Sequence, residues 1–168
     1  MPGPISELLS RDHARLDALL ERSVAGIDEI EQSAYEEFRA GLLRHIAAEE
    51  KLLFPAAQQA NGGEALSGFA KLRLQHGALA ALLKPTPTLR IISAIRTILK
   101  VHNPLEEGPG GVYELCEQLT HAKSDLLLTR LRVAPRVPVS AHVDSPRIRK
   151  AIRGAVARAG FDPDAMQL

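Results

Sequence analysis

Two copies of one short motif lie about sixty residues apart in this chain. Residues 13–20 (HARLDALL) and 76–83 (HGALAALL) both read H-x-x-L-x-A-L-L. Each copy is followed by a second histidine with two acids one helical turn later, in residues 45–50 (HIAAEE) and 102–107 (HNPLEE). Imidazole nitrogen and carboxylate oxygen are ligands that iron and related metals accept. The duplication therefore predicts two halves of one metal site.

The histidines and acids of this repeat lie on apolar helical stripes, where aliphatic side chains would normally face a core. Burying an unpaired carboxylate costs several kcal/mol, so we expect a cation to compensate for the buried charge. The i, i+4 spacing brings each histidine and its acid to one helix face about 6 Å apart, which suits chelation. The predicted metal-binding residues are His13, His45, Glu49, His76, His102 and Glu106.

Helices are the elements that must position these residues, because no segment alternates with period two for long enough to form a strand. Short connections between long amphipathic helices predict an all-α, up-down-up-down four-helix bundle. The expected helices span about 6–25, then about 33–60 with a Ser33-x-x-Glu36 capping box and a kink at Pro55, then about 64–83, and a fourth from Leu89 capped by Thr88.

The segments after the fourth helix are expected to lie outside its regular part. A glycine-proline run at 108–111 interrupts the chain, and helix is predicted again over about 112–133. One interpretation is that this stretch continues the fourth rod after a kink. Residues 134–145 look like an extended linker, and Ser145-Pro146 is a good start for a short basic amphipathic helix that ends near Gly160. We thus divide the chain into a bundle (1–133) and a tail (134–168). We expect the tail helix to dock on its own bundle or on a second copy in a homodimer.

Composition narrows the class of protein. With 168 residues, 45% of them hydrophobic, the chain can bury one core. Its net charge of +1 gives no reason to expect nucleic acid as a partner. The single cysteine, Cys116, rules out an intrachain disulfide and fits a reducing compartment. The chain shows no secretory signal, and no apolar run approaches the roughly 20 residues that a membrane span needs. We therefore expect a cytoplasmic protein.

The pattern H…HxxxE…H…HxxxE resembles the hemerythrin-like (HHE cation-binding) domain family over about residues 6 to 131. The resemblance implies a four-helix bundle around a non-haem di-iron centre, with two iron ions joined by an oxo or hydroxo bridge, although other divalent metals are also acceptable. It further implies that the four histidines are terminal ligands and that Glu49 and Glu106 bridge the two irons.

The chain departs from the oxygen-carrying hemerythrins at two points. Those proteins place two histidines at i, i+4 on the third helix, whereas His76 has Leu72 and Ala80 at that spacing. Their last acid follows its histidine by five residues, where this chain has Glu107, so Glu107 is an alternative ligand to Glu106. With fewer histidines, more coordination positions remain open to dioxygen, peroxide or nitric oxide. This favours a reaction with a small oxidant; the alternatives are an iron- or oxygen-sensing regulatory module and a redox-inert metal-binding structural protein.

The second half of the repeat looks less regular than the first. Pro104 and the glycine-proline run bracket it, so we expect the labile ligand set to be His102 with Glu106 or Glu107. We expect Tyr113, which follows the run, to lie at the edge of the core, with a position near the metal as the alternative, and Cys116 to be a small core residue.

Overall fold

The computed structural model describes residues 2–168, and all regular secondary structure within that range is helical. Four rods form the bundle: the first, third and fourth are single helices, and the second is built from two helices joined by a π-helical turn. The helices are α1 (Pro4–Ser23), α2 (Gln32–Ala48), the π turn (Glu49–Leu53), α3 (Phe54–Ala60), α4 (Phe69–Leu82), α5 (Leu89–Glu107), α6 (Val112–Thr120), a 3-10 turn (His121–Lys123), α7 (Ser124–Arg132) and α8 (Pro146–Arg158).

Successive rods of the bundle run antiparallel. Ile5 near the start of α1 packs in one hydrophobic cluster with Phe54 at the start of α3. Leu20 near the end of α1 packs in a second cluster with Tyr35 at the start of α2. Connections of only a few residues between rods enforce this reversal. The all-helical bundle is therefore confirmed.

A layer of polar side chains separates these two hydrophobic clusters. On α1, Leu9 belongs to one cluster and Leu16 to the other, and His13 lies between them. The second and third rods show the same order, apolar then polar then apolar. The fourth rod ends just after Glu106, and α6 supplies the buried apolar residues beyond the layer there. The metal-binding residues predicted from the sequence thus occupy one level of the bundle, and the two hydrophobic clusters on either side shield this level from water.

The second rod changes its helical geometry at Glu49. The Phe54 N–H donates to the Glu49 carbonyl five residues earlier, which defines a π turn. Proline lacks an N–H and crowds the carbonyl four residues before it, and we attribute the wider turn to Pro55 at this point. The kink predicted at Pro55 therefore takes the form of a π turn that begins at a proposed ligand.

Two helix starts differ from expectation. The Ser33–Glu36 capping box does not form, because the Glu31 N–H donates to the Ser23 carbonyl and the helix already begins at Gln32. The third helix begins at Phe69 and not near residue 64, because Gly68 adopts a positive φ of 99° immediately before it. Neither shift moves a predicted ligand off its helix.

The second half of the repeat is more regular than expected. Helix α5 continues through Pro104 to Glu107, whereas the irregular turn lies in the first half, at Glu49–Leu53. The expectation that only the first half sits on a regular helix was wrong. The segment after residue 111 does not extend the fourth rod either: Gly110 turns the chain with φ +71°, and α6 packs back against α1, α3 and α5.

The tail helix α8 packs on the bundle of its own chain, against α4. Its apolar face is buried, with Ile152 and Val156 at most 3% exposed. The Ser145 side chain accepts a hydrogen bond from the Ile148 N–H, as the predicted N-cap requires. Dimerisation through this helix remains a prediction. None of the helices within residues 2–168 combines the length and the apolar character that crossing a membrane requires.

Two helical glycines should respond to alanine in opposite directions. A Cβ at Gly77 on α4 meets no atom within 4 Å, so Gly77→Ala should raise the free energy of unfolding by about 0.5–1 kcal/mol through helix propensity. A Cβ at Gly41 on α2 would lie 2.7 Å from Cδ2 of the buried Leu16, so Gly41→Ala should lower it. Urea denaturation midpoints measure both; a shift in the same direction for both variants would contradict this packing.

Candidate metal centre

The bundle brings all six predicted residues to one buried layer. His13 comes from α1, His45 and Glu49 from the second rod, His76 from α4, and His102 with Glu106 from α5. Both carboxylates are fully buried and no histidine of the set is more than 6% exposed. Each rod thus contributes at least one of the predicted metal-binding side chains to the same enclosed volume.

The six side chains form two groups that share a carboxylate. Within each group, one ligand atom from every residue lies within 4.8 Å of the others. The groups, both fully buried, are His13, His45, Glu49 and Glu106, and His76, His102 and Glu106.

Glu49 and Glu106 each reach both groups. Glu49 Oε1 lies 3.2 Å from His45 Nε2, and its Oε2 lies 3.2 Å from His76 Nε2. Glu106 Oε2 lies 3.3 Å from His13 Nε2 and 3.1 Å from His102 Nε2, and its Oε1 lies 3.5 Å from His76 Nε2. Two carboxylates in this position can hold two cations side by side.

Every histidine presents Nε2 to the interior and bonds a polar partner through Nδ1. An acceptor at Nδ1 fixes the tautomer and ring orientation and makes Nε2 a better ligand. The Nδ1 partners are Glu107 for His13 (3.0 Å), Asp12 for His45 (2.9 Å), Glu50 for His76 (2.8 Å) and Gln75 for His102 (2.9 Å). The sequence did not reveal these partners, except that Glu107 was considered as a ligand.

Glu106 and Glu107 occupy different positions. Glu106 points into the layer, whereas Glu107 is 33% exposed and bonds the outer nitrogen of His13. The structure therefore places Glu106, and not Glu107, among the inward-facing atoms.

Three buried atoms that face one another in the layer have no hydrogen-bond partner: Glu49 Oε2, Glu106 Oε1 and His76 Nε2. Leaving such atoms unpaired costs about 1–3 kcal/mol each. A cation between them would satisfy all three. The donor set, imidazole nitrogens and carboxylates without thiolate, suits iron, and the residues present fit the metal that the sequence pattern implies.

Without a cation, the charges of the layer are balanced by protons. Burial lowers the pKa of His45, but the charge of Glu49 and the hydrogen bond to Asp12 outweigh it and raise the pKa to about 10. Burial also lowers the pKa of His76, but the hydrogen bonds to the neighbouring carboxylates outweigh it and raise the pKa to about 11. Burial and the Glu106 charge raise the pKa of Glu49, yet its histidine partners bring it down to about 2. These shifts favour the protonated forms of His45 and His76 opposite the two carboxylates, and an entering cation takes the place of their protons.

Tyr113 is a residue of the site that the sequence analysis assigned to the core. Its ring is 0% exposed, and its hydroxyl lies 3.1 Å from His13 Nε2, 3.2 Å from His45 Nε2 and 3.0 Å from Glu106 Oε2. It also donates to Glu49 Oε1. Burial, followed by the charges of the two glutamates, raises the pKa of Tyr113 well above its ordinary value. The one sequence signal for this position was that Tyr113 follows, by two residues, the glycine turn at the end of the helix that carries Glu106.

The outer partner of His45 offers a test of how the layer is tuned. Asp12→Ala removes the carboxylate that orients His45, so metal affinity should fall by about 10–100-fold. Asp17→Ala, at an exposed position on the same helix, is the matched control and should leave affinity unchanged. Competition with a chelator measures both affinities; equal values for the two variants would show that Asp12 does not tune the ligand.

Comparison with known proteins gives one family. The model of the hemerythrin HHE cation binding domain matches residues 5–108, which is more than half of the chain and includes all six inward-facing histidines and glutamates. No curated protein and no solved structure matches the chain. Tyr113 lies beyond the matched residues.

Proposed function

Because the chain belongs to the hemerythrin HHE cation-binding domain family, we propose that its buried layer holds a non-haem di-iron centre. The centre binds or reacts with a small oxidant: dioxygen, peroxide or nitric oxide. His13 and His45 hold one iron, His76 and His102 hold the other, and Glu49 and Glu106 bridge the pair.

The observation that carries this proposal is the position of the two glutamates. Glu49 has one oxygen close to His45 and the other close to His76, and Glu106 Oε2 lies close to both His13 and His102. A single metal would leave part of this arrangement unused, since the six buried residues form two groups that share Glu106. The unpaired atoms Glu49 Oε2 and Glu106 Oε1 support a cation between them.

Iron, when bound, supplies the change of oxidation state and the open coordination positions at which a small oxidant can attach. The protein supplies the surroundings. Its two hydrophobic clusters keep bulk water from the layer, and the Nδ1 partners hold the imidazole rings in place. Four histidines and two bridging acids leave fewer positions filled than a five-histidine set would, which favours reactivity or sensing over oxygen transport.

Anaerobic iron loading followed by elemental analysis tests the proposal. We expect two irons per chain and an absorption spectrum that changes with oxygen, peroxide, nitric oxide or azide. Substantially fewer than two irons, or a spectrum unaffected by every one of these ligands, would contradict it. Expression in iron-replete medium separates the redox-inert alternative, because a structural zinc protein would retain zinc under those conditions.

The position of α8 favours a second candidate function, an iron- or oxygen-sensing module. Helix α8 packs on α4, the helix that carries His76. The preceding linker is fastened beside the end of α4, because Asp144 accepts hydrogen bonds from the Thr86 N–H (2.9 Å) and Oγ1 (2.6 Å). A change at His76 on metal loading therefore has a direct path to the tail.

Limited proteolysis tests this second candidate. If the metal orders α4, chelation should increase cleavage within residues 134–145. Asp144→Ala removes the contact to Thr86 and should be cleaved readily in both states, which makes it the matched control. Equal cleavage of loaded and chelated wild-type protein would count against a sensing role.

A further inference from the structure

The hydroxyl of Tyr113 occupies the middle of the group formed by His13, His45, Glu49 and Glu106. It contacts one atom from each of these four residues, at 3.2 Å or closer. In the proposed di-iron centre, these same four atoms surround one of the metals. The phenol oxygen and that metal therefore share one small space.

A phenol cannot satisfy both carboxylate oxygens beside it. Its hydroxyl carries one proton, so it donates one hydrogen bond, while both carboxylate oxygens are acceptors only. A cation beside the phenol oxygen would accept these lone pairs, and the phenol oxygen would become one more ligand to it.

Contacts between α6 and α1 hold the Tyr113 ring next to the layer. Tyr113 is fully buried, and α6 is held against α1 by the Glu117 carboxylate, one turn further along. That carboxylate accepts hydrogen bonds from the Gly3 N–H (3.0 Å), the Ile5 N–H (2.8 Å) and Ser6 Oγ (2.6 Å). The first turn of α1 and the second turn of α6 are thereby held together, which keeps the phenol oxygen beside His13.

Resting on the proposed metal centre, we infer that Tyr113 is a seventh protein ligand, bound through its phenolate oxygen to the metal of His13 and His45. The phenol proton leaves to solvent as the oxygen binds. The His76 and His102 group has no phenol, so the two metals have different ligand sets. Because Tyr113 lies outside the residues matched by the family model, this ligand comes from α6 of this chain and not from the repeated motif.

The ferric protein provides the direct test, since phenolate bound to ferric iron gives a charge-transfer band in the visible region and characteristic ring vibrations in the resonance Raman spectrum. The chain has two tyrosines, and the other, Tyr35, is also fully buried but lies in the opposite hydrophobic cluster. We expect the phenolate band in wild-type protein and in Tyr35→Phe, and its complete loss in Tyr113→Phe. Metal affinity of Tyr113→Phe should fall by about tenfold or more.

Wild-type protein alone provides a second test that does not depend on the folding of Tyr113→Phe. Titration with zinc, which is redox-inert, should give the ultraviolet difference spectrum of one tyrosine ionised per chain. Iron bound at two per chain without a phenolate band would overturn the role of Tyr113 and leave the proposed function intact. Failure to bind either metal would overturn both. Zinc binding without tyrosine ionisation, or a band that survives in Tyr113→Phe, would also overturn the inference.

Discussion

Glu49→Gln is expected to abolish the binding of both metal ions and not of one alone. Glu49 Oε1 faces His45 and Tyr113, whereas Oε2 faces His76, so the carboxylate belongs to both halves of the layer. The amide keeps one acceptor oxygen and presents an NH₂ group, which cannot bind a cation, to the other half. We expect affinity to fall by more than about 100-fold, beyond the range typical of outer partners.

Elemental analysis after anaerobic iron loading measures this loss of affinity, and Glu37→Gln is the matched control because Glu37 is exposed on the same rod. The control should load like wild type. His102→Ala provides a contrast, since His102 belongs to one group only and its loss should affect one metal more than the other. A Glu49→Gln protein that retains one tightly bound iron would show that Glu49 serves a single metal.

The inward-facing residues could be predicted from the sequence because each interrupts an apolar stripe. His13 between Leu9 and Leu16 illustrates the rule: the helical period places all three on one face, so the histidine must lie in the core. The same reasoning on four helices predicted one buried layer. Periodicity was sufficient here because burial and helix face are local properties of the sequence.

The outer partners could not be predicted in this way. Asp12 reaches His45 from a different helix, and Gln75 reaches His102 from a different helix, so each contact depends on how two rods are rotated about their axes. Sequence spacing within one helix carries no information on that rotation. Glu107 shows the consequence: its spacing suggested a ligand, but the rotation of α5 directs it to the outer nitrogen of His13.

The contact between Tyr113 and the layer could not be predicted, for a related reason. That contact depends on the direction in which the chain leaves α5, which is set by the turn at Gly110, and on the contact between Glu117 and the start of α1. The π turn at Glu49 was missed because Pro55 predicts a distortion but not its form. In both cases the sequence indicated where the chain departs from regular helix, but the geometry at that point depends on tertiary packing.

Removal of the metal is expected to lower the stability of the whole bundle. A ligand that binds only the folded state stabilises it by RT ln(1 + [L]/Kd), about 4 kcal/mol when free metal is 1,000 times Kd. For a chain of 168 residues this corresponds to a rise in Tm of about 8–16 °C on loading. Thermal unfolding of loaded and chelated protein, followed by circular dichroism, measures the difference.

The rise in Tm on metal loading should come from metal bound in the layer, so it should disappear when the layer cannot bind metal. Chelated protein holds Glu49 and Glu106 opposite protonated His45 and His76, and such buried ion pairs add little net stability because desolvation offsets their attraction. Metal replaces those protons and also satisfies the unpaired oxygens. Glu49→Gln should thus unfold at the same temperature with and without metal, whereas Glu37→Gln should show the full shift. A metal-dependent shift of equal size in Glu49→Gln would place the stabilising cation elsewhere on the chain, and equal Tm values for loaded and chelated wild-type protein would mean that imidazolium–carboxylate pairs alone sustain the core.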